Sequence, residues 1–182
     1  MTQALYFILK TLAHLYLLLY VLRFWLPLLR VDFHNPIAQA VLRLTSPVII
    51  PIRRFVPAVG RIDTATVLVA FAIECLVIYL LLALRGMTAD FAVVAVTSAV
   101  ELAILSLNMF FFVVLIRIIL SWVAPQSYSP VTAMLNTIAE PILRPFRRLV
   151  PAIGGLDISP IFAIVLLQAA VIVLQSYKPL PL

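Results

Sequence analysis

The sequence predicts an all-α membrane protein. Its four transmembrane helices are expected to form two tandem span–amphipathic elbow–span repeats, related by a parallel pseudo-two-fold axis. Three observations lead there. The 182 residues are 65% hydrophobic and 11% charged, whereas about a quarter of the residues of a soluble domain are charged. The apolar residues gather into runs that match the roughly 20 residues needed to cross a bilayer. Finally, one stretch occurs twice: Pro47 recurs as Pro141, an offset of 94, and the register then holds without a gap. Pro51, Arg53, Arg54, Val56, Pro57, Ala58, Gly60 and Asp63 recur as Pro145, Arg147, Arg148, Val150, Pro151, Ala152, Gly154 and Asp157. The same offset carries Arg23 onto Arg117 and Pro36 onto Pro130. Register kept over that length reads as an internal duplication, with repeats over 1–86 and 87–182 and elbows over 36–60 and 130–154.

The formal net charge of +6 would suggest nucleic acid in a soluble protein. Here the arginines cluster between apolar runs, the pattern of a membrane protein's cytoplasmic face, so no direct nucleic-acid partner is expected. The lone cysteine, Cys75, excludes an internal disulfide or a cysteine-rich metal site.

The first span covers about Ala4–Leu29. Lys10 and His14 sit inside it and no basic segment precedes it, so it is expected to be a retained span and not a cleaved signal. Arg23 and Trp25 suit a membrane–water interface. Arg23, Arg117 and Lys10 are expected to snorkel, keeping their charged heads in the aqueous boundary.

Asn35-Pro36 then opens a short helix, since Asn caps well and Pro is tolerated in the first turn. Ser129-Pro130 does the same in the second copy. Gln39, Arg43 and Ser46, and later Thr132, Asn136 and Glu140, fall on one helical face. Pro47 and Pro141 are expected to end these helices, because proline removes a backbone donor and clashes with the preceding turn. Ten residues reach only about 15 Å, so the elbows lie in the interface plane. Gly60 and Gly154 permit a turn. Asp63-Thr64 and Ser159-Pro160 cap the next spans.

The second span covers Thr64–Leu84, about 31 Å of helix, and Arg85-Gly86 closes it. The third lies near Ser98–Trp122. The residues before it, 88–97, either form a short interfacial helix or lengthen the span. The fourth covers about Pro160–Tyr177. The arginine-rich elbows set the topology: both cytoplasmic, both termini outside. Two spans between the copies return the second elbow to the same side, which makes the duplication parallel.

The paired Pro-x-Arg-Arg-x-x-Pro-Ala-x-Gly-x-x-Asp segments, Pro51 to Asp63 and Pro145 to Asp157, resemble the YggT (YlmG) family of small bacterial membrane proteins. Leu22-Arg23-Phe24-Trp25, Asp32-Phe33-His34-Asn35-Pro36, Ser121-Trp122 and Ser129-Pro130 agree. Arg61 departs from the pattern, since the second copy has Gly155. The resemblance implies a multi-pass protein of the bacterial plasma (inner) membrane, linked to osmotic or extracytoplasmic stress, to division genes and in some members to ion uptake. Plastid relatives are linked to cytochrome assembly and envelope organisation. The resemblance carries no catalytic residues.

Two residue sets are candidates. Arg53, Arg54, Arg147 and Arg148 suit phosphate, because a planar guanidinium donates two hydrogen bonds. Each is worth on the order of 1 kcal/mol beside an anionic leaflet. They either bind anionic lipid head groups or a membrane or division-protein partner, or serve only to set topology. Asp63 and Asp157 either pair with them or cap the following helices. In the second set, His14 maps onto Asn108 and Glu74 onto Gln168. Polar residues within spans are functional candidates, here a transport path, though in so small a bundle interhelical hydrogen bonds are the favoured reading. Glu101 maps onto Phe7 and is expected near the surface.

No enzyme is expected. His14 and His34 lie on different elements, no metal-ligand cluster appears, and there is neither a nucleophile–base pairing nor a glycine-rich phosphate loop. No cofactor is implied. The sequence therefore favours a non-enzymatic envelope scaffold or assembly factor with arginine elbows. The alternative is a small ion or solute pathway, with a homo-oligomer left open.

Overall fold

The computed structural model describes residues 2–123, 129–149 and 157–180. Six helices follow one another: α1 (Thr2–Leu28), α2 (Pro36–Arg53), α3 (Thr64–Leu84), α4 (Phe91–Val123), α5 (Pro130–Leu149) and α6 (Ser159–Ser176). There is no strand among the described residues, only an isolated bridge between Val59 and Ile62. Four helices, α1, α3, α4 and α6, are long and apolar enough to cross a membrane. Residues 88–97 do not form a separate interfacial helix: from Phe91 they lengthen the third span into one 33-residue helix.

The elbow helices α2 and α5 run through their prolines, contrary to the expectation that Pro47 and Pro141 would end them. They span 18 and 20 residues, about 27–30 Å, so length no longer bars them from crossing. Composition does: neither is apolar enough to count as a span. The prolines are tolerated because of where they fall. Pro47 and Pro51 are four residues apart, as are Pro141 and Pro145, so each pair shares one face, and that face is exposed. The lost donors interrupt only the outer hydrogen bonds. The inner stripe stays helical and buried: Ala38, Val41, Thr45 and Ile49 in α2, Met134, Ile138 and Leu143 in α5.

The caps read as expected at the elbow starts. The Asn35 side chain accepts from Ile37 N at 2.9 Å, and Ser129 Oγ accepts from Thr132 N at 3.2 Å. Asn35 Nδ2 also donates to Pro130 O at 2.6 Å, joining the first turns of α2 and α5. Gly60 supplies the positive φ of +61° that the tight Val59–Ile62 turn needs. Gly86, at +65°, ends α3 in a Schellman motif: Met87 N donates to Leu82 O and Gly86 N to Ala83 O, both at 3.0 Å. Gly154, and with it Pro151 and Ala152 of the second elbow, lies outside the described residues.

Both elbows pack back onto the helices that flank them, α2 on α1 and α3, α5 on α4 and α6. The largest core gathers Val21 and Leu26 of α1, Met109, Phe110 and Val114 of α4, Val41 of α2, Ile138 of α5 and Ala163 of α6. Trp25 stacks edge-on against Phe110 at 4.8 Å and packs against this core. A second core joins Leu17 and Tyr20 to Ile49, Ala65 and Val69. A third, at the far end of α3, packs Ile78, Leu82 and Val94 with Leu180 of the chain terminus.

Candidate functional site

Each elbow is fastened by two arginines, one from the preceding span at its middle and one of its own near its far end. In the first, Arg23 of α1 is buried, 5% exposed. Its Nη1 donates to Thr45 Oγ1 at 2.7 Å, to Ser46 Oγ at 3.1 Å and to Leu42 O at 3.3 Å, all on α2. Its Nε lies 3.6 Å from Asp63 Oδ2. Arg53, at the end of α2, donates to the same Oδ2 at 2.5 Å, and Thr66 Oγ1 donates to it at 2.8 Å. Asp63 therefore ties span α1, elbow α2 and span α3 together. Arg23 does not snorkel: a guanidinium needs several acceptors when buried, and Thr45, Ser46 and Asp63 supply them.

The second elbow repeats the plan with different partners. Arg117 Nε donates to Asn136 Oδ1 at 2.8 Å, and its Nη2 lies 3.8 Å from Glu140. Arg147 donates to Glu140 Oε2 at 2.9 Å and to Asp157 Oδ2 at 2.8 Å. Asp157 Oδ1 accepts from Ser159 N at 3.0 Å and from Ser159 Oγ at 2.5 Å. Arg117 is thus tied to the elbow as well.

The carboxylates choose between the two roles left open for them. Asp63 sits at the N-cap position of α3 but makes no side-chain capping bond there; arginine takes its carboxylate. Asp157 does both, since Ser159 N is a backbone donor of the next helix's first turn. Burial by itself would raise the Asp63 carboxyl; the hydrogen bonds from Thr66 and Arg53 and the charges of Arg53 and Arg23 outweigh it and hold it below the usual carboxylate range. Asp157 is likewise lowered: against burial stand Ser159 and Arg147.

The four motif arginines therefore split. Arg53 and Arg147 are bound to acids. Arg54 and Arg148 are exposed and make no ion pair among the described residues. Each is followed by a strongly exposed apolar side chain, Phe55 at 85% and Leu149 at 77%.

A second polar set lies among the spans. Lys178, just beyond α6, donates from Nζ to Glu101 Oε1 at 2.8 Å, and both side chains are nearly buried. Glu101 is thus buried within the protein against a lysine that follows the last span. Glu74 of α3 is 2% exposed, and Lys10 of α1, Glu101 and Lys178 act on it electrostatically. His14 is occupied on its own helix, its Nδ1 lying 2.8 Å from Lys10 O. Asn108 and Gln168 are half-buried; neither they nor His14 hydrogen-bond to Glu74 among the described residues. The sequence pointed to Glu74 but missed Lys10, Glu101 and Lys178 as its company. Glu101 and Lys178 map onto Phe7 and Leu84 under the offset, so the register that flagged the other sites was silent here. No group of three metal-ligating side chains occurs among the described residues.

Comparison with known proteins adds the lineage. The family model CCB3/YggT matches residues 2–84 and 96–177. An uncharacterized protein of Pseudomonas aeruginosa is 44% identical over 175 residues, covering 92% of this chain and 85% of that protein. The Escherichia coli protein YggT, also described as uncharacterized, is 37% identical over 164 residues, 88% of this chain and 84% of that one. A chloroplastic YlmG homolog of Arabidopsis thaliana is 36% identical over 63 residues, 35% of this chain and 25% of its own length. No solved structure matches the chain.

Proposed function

The chain belongs to the CCB3/YggT family, and from that premise we propose that it is a non-enzymatic scaffold of the bacterial plasma (inner) membrane. Its two elbows face the cytoplasm and bind anionic lipid head groups, or a partner's acidic surface, in osmotic or extracytoplasmic stress or division. The observation that carries this reading is the pairing of Arg54 with Phe55 and of Arg148 with Leu149. An exposed cation beside an exposed apolar side chain, at equivalent points of two amphipathic helices, suits the boundary where acyl chains meet phosphates. Arg53 and Arg147 hold the elbows in shape; Arg54 and Arg148 do the binding.

The charge distribution supports the orientation. Arg43, Arg53, Arg54, Arg61, Arg144, Arg147 and Arg148 gather at the elbow end, against Arg85 and Lys178 at the other. Positive-inside then makes the elbows cytoplasmic. The duplication is supported by the family model, whose two matched segments begin at 2 and 96, the offset of the paired motif.

The test is native mass spectrometry of delipidated protein titrated with phosphatidylglycerol or phosphatidylcholine. Phosphatidylglycerol should be retained preferentially, and Arg54→Gln with Arg148→Gln should abolish that preference. Equal retention of both lipids by the wild type, or a preference that survives both substitutions, sinks the lipid reading. Capture of a protein through the same two arginines would then favour the partner. A second reading, an ion pathway, has one observation in its favour: charged side chains buried among the spans.

A further inference from the structure

A cavity of about 170 Å³ lies at the seam where the spans α1, α3 and α4 pack on one another. Tyr20 of α1, Thr66 and Ala70 of α3, and Ala103 and Ser106 of α4 line it. Val67, 43% exposed, stands at its rim. The cavity therefore opens on the flank of a span, where the surroundings are the hydrocarbon of the bilayer.

The lining decides what can enter. It is almost wholly apolar, and its three hydroxyls are committed within the protein. Tyr20 Oη lies 2.7 Å from Tyr16 Oη. Thr66 Oγ1 donates to Asp63, and Ser106 Oγ donates to Leu102 O at 3.0 Å. A polar solute finds no waiting partner here, and a trapped water needs several. An empty apolar void forfeits the dispersion contacts of its walls. An acyl chain restores them and asks for no hydrogen bond.

The polar end of such a lipid has a place too. Ala70 is six residues beyond Thr64, about 9 Å into α3, so the cavity begins within two turns of the elbow end. Thr66 shares Asp63 with Arg53, and the exposed Arg54 is the next residue along the chain. A chain seated in the cavity directs its phosphate toward the first elbow's arginines. The second half is built differently at the same register. The offset of 94 turns Thr66 into Pro160 and Ala70 into Ile164. Ile164 packs against the largest core, as does Ile118, the counterpart of Phe24. The room beside α3 comes from the small side chain of Ala70.

We propose that this cavity is a lipid acyl-chain site, holding one chain of a lipid whose phosphate meets the first elbow. The phosphate contact rests on the lipid-binding reading of Arg54; the chain contact does not.

The test uses the full chain, delipidated and titrated with phosphatidylglycerol or phosphatidylcholine under native mass spectrometry. One lipid should bind ahead of the rest, and Ala70→Ile with Ala103→Leu should remove that first step for both lipids. A first step unchanged by filling the cavity overturns the proposal. Equal binding of both lipids, lost on filling, keeps the acyl site and sinks the head-group reading; a preference for phosphatidylglycerol that outlasts filling does the reverse. A second measurement uses the wild type in nanodiscs of phosphatidylcholine carrying a diazirine high in its acyl chain. Illumination should crosslink the lipid to Ala70 and Ala103. Ala70 is only 6% exposed, so labelling there places a chain inside the seam. Labelling confined to exposed residues such as Val67 and Ile161 overturns the proposal. A disulfide-linked dimer formed by Ala103→Cys would put a second copy at the cavity and overturns it as well.

Discussion

The two elbows carry the same motif in the same register, yet their acids live in different surroundings. The Asp63 side chain is 8% exposed and faces an almost wholly buried Arg23. Asp157 is 39% exposed, and its partner Arg147 is 35% exposed and shared with Glu140. The first elbow depends on one carboxylate that nothing can replace. In the second, three charged side chains and water share the task. Identical residues at equivalent positions thus do unequal work, because an ion pair's consequences depend on what is left behind when it breaks.

The sharpest way to break the comparison is to neutralise each acid in turn. Asp63→Asn leaves Arg23 buried beside a group that no longer compensates it. Loss of one partner of a buried pair costs about 3–5 kcal/mol. Asp157→Asn lets solvent and Glu140 take over and should cost no more than about 1 kcal/mol. Thermal unfolding in detergent or bicelles, read by circular dichroism, would separate the two. Equal losses would show that the burial difference does not matter. Acid should act in the same sense. Both aspartates are lowered in the folded chain, so the stability they lend is fully present above the unfolded aspartate value, near 3.9. It is lost as pH falls through their lower folded values. Asp63→Asn should remove more of that acid sensitivity than Asp157→Asn does.

A smaller effect comes from the hydroxyls that support each acid. Thr66→Val removes a donor to the charged Asp63 Oδ2, a loss of about 1.5–3 kcal/mol for a bond to a charged group. Ser159→Ala removes the corresponding hydroxyl, but Ser159 N still donates to the same Asp157 oxygen at 3.0 Å. The second change should therefore be the milder of the two in the same unfolding assay. If Ser159→Ala proves as severe as Thr66→Val, the backbone donor is not the substitute it is taken to be.

Much of this plan is legible in the sequence, and the limits have physical causes. Four apolar runs fix the spans, since hydrocarbon thickness sets their length. The offset of 94 brings out both Arg–Asp pairs before any contact is known. What pattern reading misses is direction. Pro47 and Pro51 stop a helix only if the interrupted hydrogen bonds matter, and on an exposed face they do not. Arg53 and Arg54 are adjacent and identical in type, but neighbours on a helix point about 100° apart. One meets an acid and the other meets solvent. Arg23 reads as a snorkelling interfacial residue because its acceptors, Thr45, Ser46 and Asp63, lie far along the chain. The pairing of Lys178 is missed for the same reason: only the fold sets it against Glu101.

The gentlest probe lies in the turn that returns the first elbow to α3. Gly60 has φ of +61° with open space where a side chain would project, nothing lying within 4 Å. Gly60→Ala therefore meets no steric neighbour, and its effect is that of the backbone alone, about 1–2 kcal/mol for an L-residue in the left-handed region. The turn's two bonds, Val59 N to Ile62 O and Ile62 N to Val59 O, both 3.0 Å, hold Asp63 at the right place to meet Arg53. The loss should fall on the stability of the first elbow and leave preferential lipid binding by Arg54 and Arg148 intact. Unfolding and lipid retention measured on the same preparation would test this. If lipid preference is lost while the unfolding temperature holds, the turn shapes the binding surface itself and Arg54 is not an independent contact.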